Sequence, residues 1–568
     1  MGGLTAVAGA GPVWLAWLTA DLLDGAAVGS VAPLAAVSVA AVGVVLAALP
    51  HLNQYLAAEL DRSLSLTVQD GLFSALNRHT GLARLEDPSF QDTVQIAGSS
   101  GRLAPSRVVS GALGMAAAAV ALFGFLGSLI ALSPAVAAAV IAAAVPGLLL
   151  HLRLSRRYAT TVTSVGHAER RRLFYARLMT TAESAKEVQL FGLGDFFRSR
   201  MLDELSAINT AERRIDRRRL AIQVFVGSLA AAVAGSGLVW LTRSGSPTVG
   251  DLSVFLVAVA GVQAALGNGV QQVASTHQAL LVFEHYATAT APVGADQGTT
   301  AAAPLRRGIE IKDVWFRYSG ATGWVFRRLN LSIPSGSATA LVGLNGAGKS
   351  TLVKLLCRFY EPTRGTITWD GVDLRDLDPA SLRRRISAVF QDFCDYDLPA
   401  RENVALGDLS ALHDPARVEA AARLAGVHDT LTGLPFGYET PLTRLFWAGG
   451  ANDPREGVQL SGGQWQRVAL ARSFMRTDSD LAILDEPSSG LDADAEASIQ
   501  RALQAHRRGR TTILISHRLN TVRDADTIAV LDGGRVAEQG DHDDLMAARG
   551  IYATLFETQA AGYQAMPA

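Results

Sequence analysis

Only two cysteines occur in 568 residues, Cys357 and Cys394. Their spacing excludes a disulfide framework and a cysteine-rich metal site. Cys357 falls in an apolar helical pattern and is expected in a core. Charge is scarce too: Asp, Glu, Lys and Arg make up 18% of the chain, against about 25% in soluble proteins. The 51 basic and 52 acidic residues balance, so no basic excess marks a nucleic-acid binder. The deficit is uneven. It falls in the first half, where long Ala/Val/Leu/Gly runs carry no Asp, Glu, Lys or Arg at their centres. A chain of this length exceeds one core, so at least two domains are expected.

A bilayer core is crossed by about 20 mostly apolar residues as helix. Six stretches qualify: 4–23, 26–49, 108–132, 134–152, 220–241 and 252–274. The first is short, contains Pro12 and competes with a signal-peptide reading. That reading is disfavoured because MGGLTA has no basic n-region. The segment after Pro50 carries Arg62, Arg78, Arg84, Arg102 and Arg107. The segment after Leu152 carries a longer arginine series from Arg153 to Arg219. By the positive-inside bias these segments are cytoplasmic, which places both termini in the cytoplasm of a multi-pass plasma-membrane protein. The turning points 86–97 and 183–197 combine helix-start signals with apolar Phe90, Leu190, Phe191 and Leu193. A contact with another domain and ordinary loop chemistry are both open there. Asn268, Gln272 and Thr276 share one helical stripe at the end of the last apolar run. They suit either a cavity wall or contacts between helices.

Beyond the small-residue stretch 288–308, short β-branched strands alternate with amphipathic helices, an α/β pattern. There "TALVGLNGAGKSTLVKLL" places Gly343, Gly348, Lys349 and Ser350 in the spacing G-x-x-x-x-G-K-[ST] between a strand and a helix. Glycines allow close backbone approach, the helix start offers N–H groups to phosphates, and the hydroxyl suits Mg²⁺. "LAILDEPSSGLD" ends a buried strand in Asp485 and Glu486. A carboxylate pair beside a phosphate site suits a metal-linked group and a water-orienting base. "LSGGQ" (460–464) opens a second helix start fit for an anion. Since one phosphate site needs one cradle, this second one implies a second copy. Gln391 and Ser516–His517 follow two further short strands.

Together these motifs resemble the ATP-binding cassette family. The likeness is to half-size exporters in which an N-terminal membrane domain is fused to one nucleotide-binding domain. It covers nearly the whole chain. It implies an all-α six-helix transmembrane domain over 1–287, a linker over 288–306, an α/β P-loop ATPase over 307–560 and a tail over 561–568. It also implies that ATP and Mg²⁺ bind between two copies of the chain, a homodimer or a heterodimer with another half. Tyr318 would stack on adenine. Gly343, Asn345, Gly346, Gly348, Lys349, Ser350 and Thr351 would hold the nucleotide in one copy. Ser461 and Gly463 would approach it from the other, and Gln464 and Asp492 would also belong to the nucleotide site. Ser350, Gln391 and Asp485 would serve Mg²⁺, with Glu486, Gln391 and His517 catalytic.

Two departures stand out. Gly490 replaces the usual alanine of the D-loop, and 444–460 replaces the usual stretch before the signature with a longer one. "LSGGQWQR", with Trp465, is similar to exporters of bacterial peptides and antibiotics of the lantibiotic type. That implies an amphipathic peptide or antibiotic as substrate, with a lipid or multidrug flippase, or a non-transporting regulatory ATPase, as alternatives.

Overall fold

The computed structural model describes residues 2–29, 33–99, 101, 104–244, 247–292, 298–443, 457–487, 509–516 and 522–564. The chain divides into two compact units. Unit 1 comprises Met1–Asn77 and Ser89–Ala291; unit 2 comprises Arg78–Pro88 and Pro292–Ala568.

Unit 1 is helical: α1 (Gly2–Ala27), α2 (Pro33–Asn77), α3 (Pro88–Ser99), α4 (Ala104–Leu132), α5 (Pro134–Thr180), α6 (Ala182–Leu190), α7 (Gly194–Ser244) and α8 (Val249–Thr290). Among the described residues, five of these helices (α1, α2, α4, α7 and α8) are long and apolar enough to cross a membrane. The fourth expected span begins as the shorter apolar stretch Pro134–Gly147 of α5. The second span starts later than its composition suggests, because the chain turns at Val28–Gly29 before α2.

Small residues set the helix spacing, since lipid supplies no hydrophobic drive for helices to associate. A Cβ on Gly261 of α8 would lie 2.3 Å from the Phe125 ring of α4, and one on Gly124 of α4 2.7 Å from Val13 of α1. A Cβ on Gly111 or Gly114 of α4 would strike the Thr276 or Gln272 side chain. Gln272 and Thr276 therefore fill the α4–α8 seam rather than lining an open wall, while Asn268 is exposed. Large apolar side chains such as Val44, Phe123 and Trp240 are exposed, as a lipid-facing surface requires. The Asp24 carboxylate accepts from Thr248 Oγ1 at 2.8 Å and from Gly250 N at 2.7 Å, tying the end of α1 to the start of α8. Of the apolar residues at the two turning points, Phe90 is buried, 6% exposed, whereas Leu190 and Phe191 are exposed.

Unit 2 is built on two sheets. Four strands, β1 (Gly308–Phe316), β2 (Phe326–Pro334), β4 (Arg364–Trp369) and β5 (Val372–Asp373), form an antiparallel sheet in the order β2-β1-β4-β5. The second sheet runs β10-β9-β3-β8-β7-β6. Its strands are β3 (Ala338–Val342), β6 (Ile386–Val389), β7 (Leu481–Asp485), β8 (Thr511–Ile515), β9 (Thr527–Asp532) and β10 (Arg535–Gly540). All its pairings are parallel except β9–β10. Every residue of β7 and β8 is buried, which fits their apolar stretches Leu481–Leu484 and Ile513–Ile515: a parallel sheet is covered on both faces.

Among the described residues, the α-helices of unit 2 are α9 (Lys349–Leu356), α10 (Pro379–Arg384), α11 (Ala400–Ala405), α12 (Pro415–Leu424), α13 (His428–Thr432), α14 (Gly462–Phe474), α15 (His542–Ala548) and α16 (Ile551–Gln564). Leu352, Val353, Leu355 and Leu356 anchor α9 in the core, each burial worth about 1.5–3 kcal/mol. Cys357 lies in the same core, where burial pushes its thiol up to about 12. The small-residue stretch does not stay a bare linker. Ala302 and Leu305 are buried in that core, and Thr300 bridges Leu377.

Candidate functional site

Strands β3, β8, β7 and β6 lie side by side and parallel, so their carboxyl ends open on one edge. That edge is where ligands sit in open α/β sheets. The expected residues follow these strand ends: Gly343–Thr351 after β3, Ser516 after β8, Asp485 and Glu486 at the end of β7, and Gln391 after β6.

The loop after β3 needs its glycines. Gly343, Gly346 and Gly348 have φ of 155°, 83° and 101°. A Cβ on Gly343 would lie 2.5 Å from Leu531 O, and one on Gly348 2.7 Å from the Phe326 ring. Gly348 caps α9 in the left-handed region. Lys349 is 8% exposed and folds back to donate to Gly343 O at 2.7 Å and Leu344 O at 3.2 Å. Burial lowers the affinity of its amine for a proton, and the Glu486 and Asp485 carboxylates oppose that shift.

Asp485 is buried, and burial pushes its carboxyl above the usual range. A hydrogen bond from Ser350 and the charge of Lys349 oppose the shift, while Glu486 adds to it. Glu486 takes φ of 49°, a strained conformation costing about 1–3 kcal/mol that surrounding structure must hold. Two hydrogen bonds do so: Glu486 N donates to Ile515 O at 2.9 Å, and Gln466 Nε2 donates to Glu486 O at 3.0 Å. Gln391 Nε2 reaches Glu486 Oε2 at 3.3 Å. Lys349, Ser350, Gln391, Asp485 and Glu486 thus form one constellation. It offers a hydroxyl, a carboxylate and an amide oxygen, the sparse set suited to Mg²⁺, which retains water and substrate phosphate oxygens. Among the described residues no group of three His, Cys, Asp or Glu forms a protein-only metal cage.

Asn345 and Gly346 lie in the loop itself. Tyr318 hydrogen-bonds through its hydroxyl to Thr351 Oγ1 at 3.0 Å. Ser461 is exposed and caps α14: its hydroxyl accepts from Gln464 N, and the Gln464 side chain accepts from Ser461 N. Gly463 is in the first turn of that helix. Trp465 is 5% exposed in a core with Val468 and Phe474, so its position is explained by packing. Gly490, Asp492, His517 and most of the 444–460 stretch lie outside the described residues. Gln466 was missed by sequence reasoning, and its spacing on α14 carries no distinguishing signal. Glu86 opens the 86–97 turning point, but nothing in that stretch names a partner for its carboxylate.

Fold and site define a P-loop ATPase unit fused to a helical membrane unit. A family model described as "ABC transporter" matches residues 326–489. The chain is 34% identical over 427 residues, 74% of its length and 70% of the relative's, to "Uncharacterized ABC transporter ATP-binding protein y4gM" of Sinorhizobium fredii. It is 35% identical over 417 residues, 72% of its length and 67% of the relative's, to the "ATP-dependent lipid A-core flippase" of Chromohalobacter salexigens. Its fold matches that of a bacterial Atm1-family ABC exporter solved with ATP bound, with TM-score 0.80, 24% identity, and coverage of 98% of this chain and 97% of that one. The chain belongs to the ABC transporter family. It is a half-transporter with an N-terminal membrane domain and a C-terminal ATPase domain, in which ATP hydrolysis is coupled to transport.

Proposed function

We propose that the chain works as a homodimeric ATP-driven exporter of an amphipathic lipid-like molecule. The observation that carries this reading is the likeness to a lipid A-core flippase across 72% of the chain. A second relative of that name, from Alkalilimnicola ehrlichii, is 37% identical over 66% of this chain. These likenesses favour the lipid alternative over the peptide or antibiotic cargo suggested by the signature sequence. Export of the lipid is away from the cytoplasmic side, with both termini cytoplasmic.

In this reading Gly343, Asn345, Gly346, Gly348, Lys349, Ser350 and Thr351 cradle the phosphates of ATP, and Tyr318 stacks on the base. Ser461, Gly463 and Gln464 of a second copy, with Asp492, close over the terminal phosphate. Lys349 leaves the Gly343 and Leu344 carbonyls for the phosphate oxygens. Ser350, Gln391 and Asp485 would hold Mg²⁺, which would supply positive charge to the phosphates. Glu486, with its backbone fixed by Ile515 and Gln466, orients the attacking water, and His517 contacts the terminal phosphate. The hydrolysis rate of the purified protein in lipid vesicles tests the cargo. Lipopolysaccharide-type or phospholipid substrates are expected to stimulate it and cationic lantibiotic peptides are not; stimulation by the peptides alone would overturn the lipid reading.

A further inference from the structure

Residues 78–88 pack as part of unit 2, although the chain enters them from α2 and leaves through α3. Leu82 N donates to Phe359 O at 2.9 Å, and the Arg383 guanidinium donates to Thr80 O. At the end of the segment, the Glu86 carboxylate accepts from the Tyr360 hydroxyl and pairs with Lys354 Nζ at 3.1 Å.

Both partners of Glu86 touch Tyr318. The Tyr318 and Tyr360 rings meet edge-on with centroids 5.1 Å apart. Lys354 Nζ stands 5.8 Å from each ring centroid. Phe316 lies edge-on to both rings, at 5.0 Å from Tyr318 and 5.7 Å from Tyr360. Thr351 and Lys354 sit at i and i+3 on one face of α9, so the Tyr318–Thr351 hydrogen bond completes a contact chain from Glu86 to the phosphate loop helix. Tyr360 is 9% exposed, and a buried hydroxyl needs a partner. A carboxylate is the stronger kind of acceptor. The bond from Tyr360 holds the Glu86 carboxyl below its usual range, with Lys354 assisting against partial burial.

We propose that Glu86 is a positioning residue for the nucleotide base: by gripping Tyr360 and Lys354 it fixes the aromatic wall that Tyr318 presents. The inference rests on the reading of Tyr318 as the base-stacking residue. A wall already in place spares the base the cost of ordering it on binding. Coupling is reciprocal, so a bound base tightens the hold on residues 78–88, which join α2 to α3.

The test uses the full-length protein in lipid nanodiscs. Inhibition of MgATP hydrolysis is measured with ADP and with tripolyphosphate, which carries phosphates but no base. Tyr360→Phe keeps the ring and removes the donor. Glu86→Ala removes both contacts, and Glu86→Gln restores an acceptor for Tyr360. Glu86→Ala and Tyr360→Phe are expected to weaken ADP about fivefold, with tripolyphosphate inhibition and kcat unchanged within about twofold, and Glu86→Gln to recover part of the loss. Unchanged ADP inhibition, or equal weakening of both inhibitors, overturns the proposal. Tyr318→Ala run alongside separates the two readings. Loss of ADP affinity there with none at Glu86 overturns this inference alone; no loss at Tyr318 overturns the base-stacking reading.

Discussion

Replacing Gly348 by alanine probes the phosphate loop where its geometry is most constrained. Two costs add. The residue has φ of 101°, and a left-handed conformation costs an L-residue about 1–2 kcal/mol. The new Cβ would also lie 2.7 and 2.9 Å from two atoms of the Phe326 ring and 3.1 Å from Val325. Phe326 is fully buried in strand β2, so the clash is overpacking, worth about 1–3 kcal/mol. The sum is about 2–5 kcal/mol against the loop's binding-competent shape, and apparent affinity falls with the population of that shape. MgATP affinity is therefore expected to fall by about 30-fold or more. Gly346→Ala is the internal control. Its φ of 83° carries the strain, but nothing lies within 4 Å of the added Cβ, so only about 1–2 kcal/mol is lost. Titration of a fluorescent ATP analogue into both variants, with thermal unfolding to confirm folded protein, reads the difference. Wild-type affinity in Gly348→Ala, or a larger loss in Gly346→Ala, would refute the reasoning.

Three further outcomes follow from particular contacts. Burial raises the Asp485 carboxyl above its ordinary value, so stability is lost as pH rises from the ordinary value through the raised one, and the full cost is present above it. Asp485→Asn is expected to raise the melting temperature of nucleotide-free protein at pH 7.5 by about 2–4 °C, while MgATP hydrolysis falls; a lower melting temperature would contradict the burial argument. The Glu86 carboxyl shifts the other way: its stabilising effect is present above the ordinary carboxylate value and is lost as pH falls through the depressed folded-state value. Acidification should therefore release residues 78–88 in hydrogen exchange at lower pH in the wild type than in Tyr360→Phe, and identical profiles would contradict this. Gly261→Ala, whose Cβ would meet Phe125 at 2.3 Å, should cost about 1–3 kcal/mol of α4–α8 packing, read as a lower midpoint in detergent unfolding, with Gly267→Ala, which has open space, as the neutral comparison.

Much of the candidate site could be read from the sequence because the placement of its residues depends on local spacing. A glycine loop between strand and helix, and a carboxylate pair closing an apolar strand, are written in consecutive residues. The same holds for the two-unit organisation, since lipid-facing helices and a buried parallel sheet impose different compositions. What was not legible depends on distant segments meeting. Nothing in "REGVQLSGGQWQR" tells that Gln466 will hold the Glu486 carbonyl, and Glu86 lies 274 positions from Tyr360. The stripe of Asn268, Gln272 and Thr276 was ambiguous for the same reason. Its neighbours Gly111 and Gly114 decide that two of the three are packed, and helical period alone does not name the opposing helix. The start of the second span was misplaced because Val28 and Gly29 are compatible with an apolar run while the backbone turns there.

The account's central claim is that ATP turnover at the Glu486–Gln391 constellation moves a lipid-like molecule across the bilayer. Its most direct test is the leaflet distribution of a fluorescent lipid in proteoliposomes holding the purified protein. The account predicts a MgATP-dependent change in dithionite-accessible probe, lost in Glu486→Gln, in which hydrolysis falls by about 100-fold or more while ATP still binds. The same change without ATP, or undiminished in Glu486→Gln, would contradict it.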